Sequence, residues 1–156
     1  MMLFEKEKEV VDALSERGCF IEENPNTQMK KIFYAGLLFT KVFFPDLWEM
    51  LDYIGIIRCE KSKSETYRGL YGIHQEFEVE NGQTYHVILI DVSAFECGES
   101  RHEKADFVMQ VFLHELAHFA SWDHNDKFFE YLDYLILKFN RKSKADIRNT
   151  YNTDGM

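Results

Sequence analysis

Hydrophobic spacing changes twice along the chain. Up to residue 54, apolar positions recur at steps of three and four, the mark of helices. Leu3, Val10, Val11 and Leu14 share one side of a helix predicted over Leu3–Arg17, which Gly18 can end. Residues 23–26, Glu-Asn-Pro-Asn, read as a turn. Met29, Ile32, Phe33, Gly36, Leu37, Thr40 and Phe43 mark a second helix, Thr27–Phe44, closed by Pro45. A shorter helix is predicted over Asp46–Ile54, with Leu47, Met50, Leu51 and Ile54 inward.

After a polar loop at 60–66 the period becomes that of strands. Tyr67–Val79 reads as extended chain, with Phe77 and Val79 alternating with Glu76 and Glu78. Asn81-Gly82 supplies positive φ for a hairpin turn. Tyr85–Val92, YHVILIDV, is the clearest strand, and its unbroken apolar centre implies cover on both faces. His74 and His86 fall on these strands, where lone histidines are usually surface or packing residues.

The helical period then returns. Ser100 and Glu103 form a capping signature that starts a helix at Arg101. Phe107, Val108, Val111, Phe112, Leu116 and Phe119 give it a wide apolar surface, as a central helix requires. Asn125–Lys138 reads as a last helix, with Phe128, Phe129, Leu132, Leu135, Ile136 and Phe139 inward. Residues 149–156 should fray. The predicted fold is α+β: N-terminal helices, a small mainly antiparallel sheet with a hairpin, a central helix and a C-terminal helix. All of it falls in one domain over residues 1–148.

Composition supports that outline: 46% apolar and 15% aromatic residues in a chain of 156 supply one core. The net charge of −9 opposes broad electrostatic binding to nucleic acid. The cations Lys138, Arg141, Lys142, Lys144 and Arg148 read as a solvated helix end, with a local nucleic-acid contact as the sharper alternative. The N-terminus has no apolar leader, and the longest apolar run, Ile32–Phe39, is too short to span a bilayer, so no membrane partner is expected. Cys19, Cys59 and Cys97 are odd in number and widely spaced, which predicts free thiols in a reducing, cytoplasmic setting.

Candidate chemistry is confined to 111–129, VFLHELAHFASWDHNDKFF. His114 and His118 lie one helical turn apart on the same face, so both imidazoles can reach one ion. Glu115 adjoins the first and can serve as a general base. This H-E-x-x-H pattern suits Zn²⁺, whose catalytic sites keep three protein ligands and one open position. His124 can supply the third ligand if the helix ends near Ala120. Glu130, Asp123 and Asp126 are carboxylate alternatives. The plainer readings are two packed histidines on a core helix, or a zinc staple whose fourth position is filled, for instance by Asp123. His102 lies three turns before His114, about 18 Å along a helix, and is not a ligand. Tyr131 and Tyr134 could polarise an oxyanion, and neither is favoured.

HELAHFASWDHNDKFF resembles the zinc helix and following turn of SprT-like, WLM-type and YgjP-like metallopeptidases, the minigluzincins. These share HExxH, a third histidine soon after it and an aromatic residue four positions further on. Here the matching residues are His114, Glu115, His118, His124 and Phe128. The resemblance implies a zincin-like fold, Zn²⁺ held by His114, His118 and His124, and hydrolysis of a protein or peptide substrate with Glu115 as the base. For SprT-like and WLM-type proteins it also implies proteolysis near DNA. The same spacing resembles metzincins, but those carry glycine at the position of Ser121 and a later methionine turn, and the only methionine after the motif is Met156. Some SprT-like proteins append a zinc ribbon; this chain has no C-x-x-C. Regulator-cleaving ImmA/IrrE-like peptidases also place HExxH beside a small sheet. In either case an extended peptide would add to an exposed sheet edge, either the strand at 85–92 or its hairpin partner.

Overall fold

A four-stranded sheet organises the N-terminal part of the computed structural model. The structure describes residues 11–16, 18–59, 71–78, 82 and 84–154, and the backbone alone of 59, 77 and 141–154. Helix α1 is described over 11–16. Strand β1 (Cys19–Ile21), helices α2 (Thr27–Phe43) and α3 (Pro45–Met50), and strands β2 (Tyr53–Cys59), β3 (Gly72–Glu78) and β4 (Thr84–Asp91) follow. A 3₁₀ turn (Val92–Glu96) leads to α4 (Arg101–Ala117) and α5 (Asp126–Asp154). The fold is thus α+β, as predicted. The chain forms two compact units, Met1–Glu115 and Leu116–Met156.

In the first unit the strand order is β1-β2-β4-β3. The sheet is mixed: β1–β2 and β3–β4 are antiparallel, while β2 and β4 pair in parallel. The strand β2 is absent from the sequence expectation, which ran a helix to Ile54. Helix α3 stops at Met50, and Leu51 turns extended at φ −85° and ψ 135°. The residues from Tyr53 to Ile57 are all buried, which leaves none of the alternation that betrays a half-exposed strand. The short β1 escaped for a simpler reason, its length.

Period-two geometry sorts the strand residues between two faces. One face carries Cys19, Tyr53, Ile57, Tyr85, Val87 and Leu89, which pack with Leu14 of α1. Gly72 and His74 point to the other, where α4 lies. The centre of β4, Val87 to Ile90, is fully buried, as its apolar run predicted. Gly82 has φ +81°, the positive φ expected of the Asn81-Gly82 pair. Residues 67–70 of the expected extended segment, and 1–10 of the expected first helix, lie outside the described residues.

Helix limits follow local chemistry. Asn26 accepts the Met29 N–H at 2.9 Å and starts α2; Pro45 stands at the head of α3. The backbone of α5 remains helical through 154, past the start of the stretch expected to fray. Among the cations near its end, Lys138 lies 5.9 Å from the Tyr134 ring centroid; the other four lie outside the residues whose side chains are described. Among the described residues, no helix is long and apolar enough to cross a membrane.

One cysteine expectation fails. Cys19 is disulfide-bonded, whereas Cys97 is free. Cys19 and Cys59 are Cα partners in the β1–β2 register, an adjacency that a separation of about forty residues conceals. The argument from free thiols to a reducing compartment therefore lapses for Cys19.

Two glycine substitutions should move stability in opposite directions. A Cβ on Gly72 would stand 2.6 Å from Val111 Cγ1 and 3.3 Å from Leu89 O. Gly72→Ala should cost about 1–3 kcal/mol. A Cβ on Gly36, inside α2, meets nothing nearer than Met109 Sδ at 3.9 Å, so Gly36→Ala should gain about 0.5–1 kcal/mol. Urea unfolding midpoints measure both, and equal shifts of one sign would contradict the packing described.

Candidate metal centre

The helix that carries His114 and Glu115 is started by the box expected at its head. Ser100 Oγ accepts the Glu103 N–H at 3.1 Å. Glu103 returns a carboxylate oxygen to the N–H of Glu99, at 2.9 Å, one residue earlier than the reciprocal bond to Ser100 would fall. His102 is exposed, lies 3.3 Å from Asp106 and is not one of the three histidines that come together.

Helix α4 ends at Ala117, three residues earlier than anticipated. Phe119 N–H reaches the carbonyl of Leu116 and Ala120 N–H that of Ala117, at 3.1 and 3.0 Å, which tightens the end into a turn. Ser121 then organises the loop. Its hydroxyl accepts from Asp123 N–H at 3.3 Å and from Asn125 Nδ2 at 2.9 Å. Asn125 in turn caps α5, accepting the Phe128 N–H at 3.1 Å. No described residue other than glycine has positive φ, so a side chain is tolerated at Ser121 where metzincins carry glycine.

This turn brings the histidines together. One ring nitrogen each from His114, His118 and His124 lie within 4.8 Å of one another, close enough to hold one metal ion. Among the described residues no carboxylate or thiol joins the group. Asp123, Asp126 and Glu130, the alternative ligands, are all exposed.

Hydrogen bonding suits His118 to this use. Its Nδ1 lies 3.0 Å from the Ser121 carbonyl, which can only accept. The proton is thus on Nδ1, and Nε2 keeps its lone pair, as ligand histidines require. Burial lowers the His118 pKa; the Ser121 carbonyl opposes that shift, and the charge of His124 adds to it. The His118 ring stacks near-parallel on Trp122, with centroids 6.0 Å apart. Phe128, fully buried, contacts His118 at 4.7 Å and His124 at 4.8 Å between centroids. The aromatic residue four places after the third histidine therefore packs against two of the three rings.

Glu115 is only 6% exposed. Burial pushes its pKa up from the usual 4.5 to about 7, against the effect of a hydrogen bond from the His74 backbone N–H. His74 is itself buried, and its Nδ1 lies 2.8 Å from the carbonyl oxygen of Glu115. The packing role expected for His74 thus includes direct contact with the residue expected to act as base. Nothing in strand periodicity marks a histidine for that place; it needs the register of β3 against α4. Tyr131 and Tyr134 stack on each other, with centroids 6.0 Å apart.

Residues 96–156 match the family model of the WLM domain. That domain is a zincin-like, SprT-related metallopeptidase domain, so the resemblance read from the sequence holds for this part of the chain. The match takes in α4, the turn that follows and α5, and spans about two-fifths of the chain. No curated protein and no solved structure matches the chain.

Burial of Glu115 makes metal-free stability depend on pH. The folded state holds this proton up to about pH 7, the unfolded state only to about 4.5. Its contribution is therefore fully present below pH 4.5 and is lost as pH rises through 7. The total is at most about 3 kcal/mol. Urea midpoints in the presence of a chelator should fall across that window in wild type and flatten in Glu115→Gln; matching slopes would contradict the assignment.

Proposed function

We propose that this protein is a zinc-dependent peptidase, with His114, His118 and His124 as ligands and Glu115 as general base. The observation that carries the reading is the convergence of three imidazoles, with a buried glutamate next to the first of them in the chain. Three neutral nitrogen ligands leave Zn²⁺ its charge and an open position, which structural zinc sites do not keep. When bound, the metal supplies Lewis acidity, acidifying a water and polarising a carbonyl.

The chain's own groups do the rest. Glu115 takes a proton from the attacking water and returns it to the leaving amine. A carboxyl pushed up to about 7 by burial can do both near neutral pH. Ser121 O holds the His118 ring in the ligating tautomer, and Phe128 limits the swing of His118 and His124. The substrate would be an extended protein or peptide segment. β4 is flanked on both sides, so among the described residues of the hairpin it is β3 that has an edge to offer it. The net charge of −9 favours no nucleic-acid partner.

Zinc content after dialysis tests the ligands. Wild type and Glu115→Gln should each retain one zinc per chain, and His124→Ala should bind it at least about a hundredfold more weakly. Zinc held undiminished by His124→Ala would move the third ligand to a carboxylate such as Glu130. Hydrolysis of an unfolded protein substrate should fall at least about a hundredfold in Glu115→Gln. Full turnover in that variant would remove the base from the mechanism.

A further inference from the structure

His74 of the edge strand meets Glu115 through both its ring and its backbone. Helix α4 ends at Ala117, and carbonyls near a helix C-terminus commonly take donors from outside the helix. Those of Leu116 and Ala117 are met by the turn that follows. That of Glu115 receives the imidazole of His74, with Nδ1 at 2.8 Å. The second contact runs from the His74 backbone N–H to the Glu115 carboxylate. Sheet register explains that direction. Asp91 N–H bonds Tyr71 O at 2.8 Å, so Tyr71, Ile73 and Gln75 face β4 with their backbone groups. The N–H of His74 therefore points to the outer edge.

The imidazole has a fixed orientation. A carbonyl only accepts, so Nδ1 carries the proton, and in the neutral ring Nε2 accepts. The Nδ1 of His86 lies 3.2 Å from that Nε2 and supplies the donor. His86 is held in turn: its backbone N–H donates to Asp52 Oδ2 at 2.9 Å, and its carbonyl accepts from Asp52 N–H at 2.9 Å. Its Nε2 stands 3.7 Å from Glu76 Oε1, beyond hydrogen-bond distance. A hydrogen-bonded pair of imidazoles, buried at His74 and half-buried at His86, thus runs from the sheet to the backbone of Glu115.

We infer that His74 is a positioning residue: its imidazole, braced by His86, fixes the backbone of Glu115 and so aims the carboxylate of the base. The inference rests on the proposed role of Glu115. Of the two ring nitrogens it is Nδ1 that faces Glu115, so an amide that reproduces Nδ1 should keep the function, and one that reproduces Nε2 should not. Asparagine places its Nδ2 near the imidazole Nδ1, and glutamine places its Nε2 near the imidazole Nε2.

Acetohydroxamic acid is a probe that needs no knowledge of the substrate. It chelates zinc and donates a hydrogen bond to a carboxylate poised over the metal. Its dissociation constant would be measured by calorimetry on the zinc-loaded full chain, with zinc content determined in parallel. All variants should keep one zinc per chain. Affinity should fall about tenfold or more in Glu115→Gln and by a similar factor in His74→Gln, and stay within about threefold of wild type in His74→Asn. Wild-type affinity in His74→Gln, with Glu115→Gln weakened, would overturn the role of His74 and leave that of Glu115. Wild-type affinity in Glu115→Gln would remove the base itself and the inference with it. Equal weakening in His74→Asn and His74→Gln, or zinc lost from either, would reduce His74 to a packing residue. Should His74→Gln fail to fold, weakening in His74→Asn alone would overturn the proposal.

Discussion

The end of α4 is the constraint on which the candidate site depends. A helix that continued past Ala117 would carry His124 away along its axis at 1.5 Å per residue. Two short-range bonds instead close the helix, and Ser121 gathers the next donors around its hydroxyl. The same serine lends its carbonyl to His118. One residue thus sets both the course of the loop and the tautomer of a candidate ligand. With Asn125 starting α5 at once, the segment between the helices is left little freedom.

The cost of this arrangement falls on Glu115. A carboxyl group nearly closed off from water loses hydration, and its pKa rises accordingly. A lone glutamate serving only the fold would be better placed on the surface. Retaining it under cover is reasonable where a proton is to be taken and given back near neutrality. The neighbouring edge strand offsets part of that cost with a hydrogen bond from the His74 backbone N–H.

The parts of the site legible in the sequence are those set by contiguous residues. His114 and His118 follow from helical spacing, the start at Arg101 from Ser100 and Glu103, and His124 from a turn of a few residues. Strand β4 was visible because its apolar run is bounded by polar ends. Strand β2 is not legible, since burial on both faces erases its period and Tyr53 and Ile54 read as a continuation of the preceding helix. Pairings across the sheet were equally hidden. Neither Cys19 opposite Cys59 nor His74 against Glu115 can be inferred without register, because their partners are distant in the chain.

The proposed centre is a metal held by three imidazoles with a fourth position open. X-ray absorption at the zinc edge of the loaded protein tests it most directly. Three imidazole nitrogens and one further oxygen or nitrogen are expected at about 2.0–2.1 Å, with the outer-shell scattering of three rings. A sulfur scatterer near 2.3 Å, or the scattering of two rings only, would contradict it.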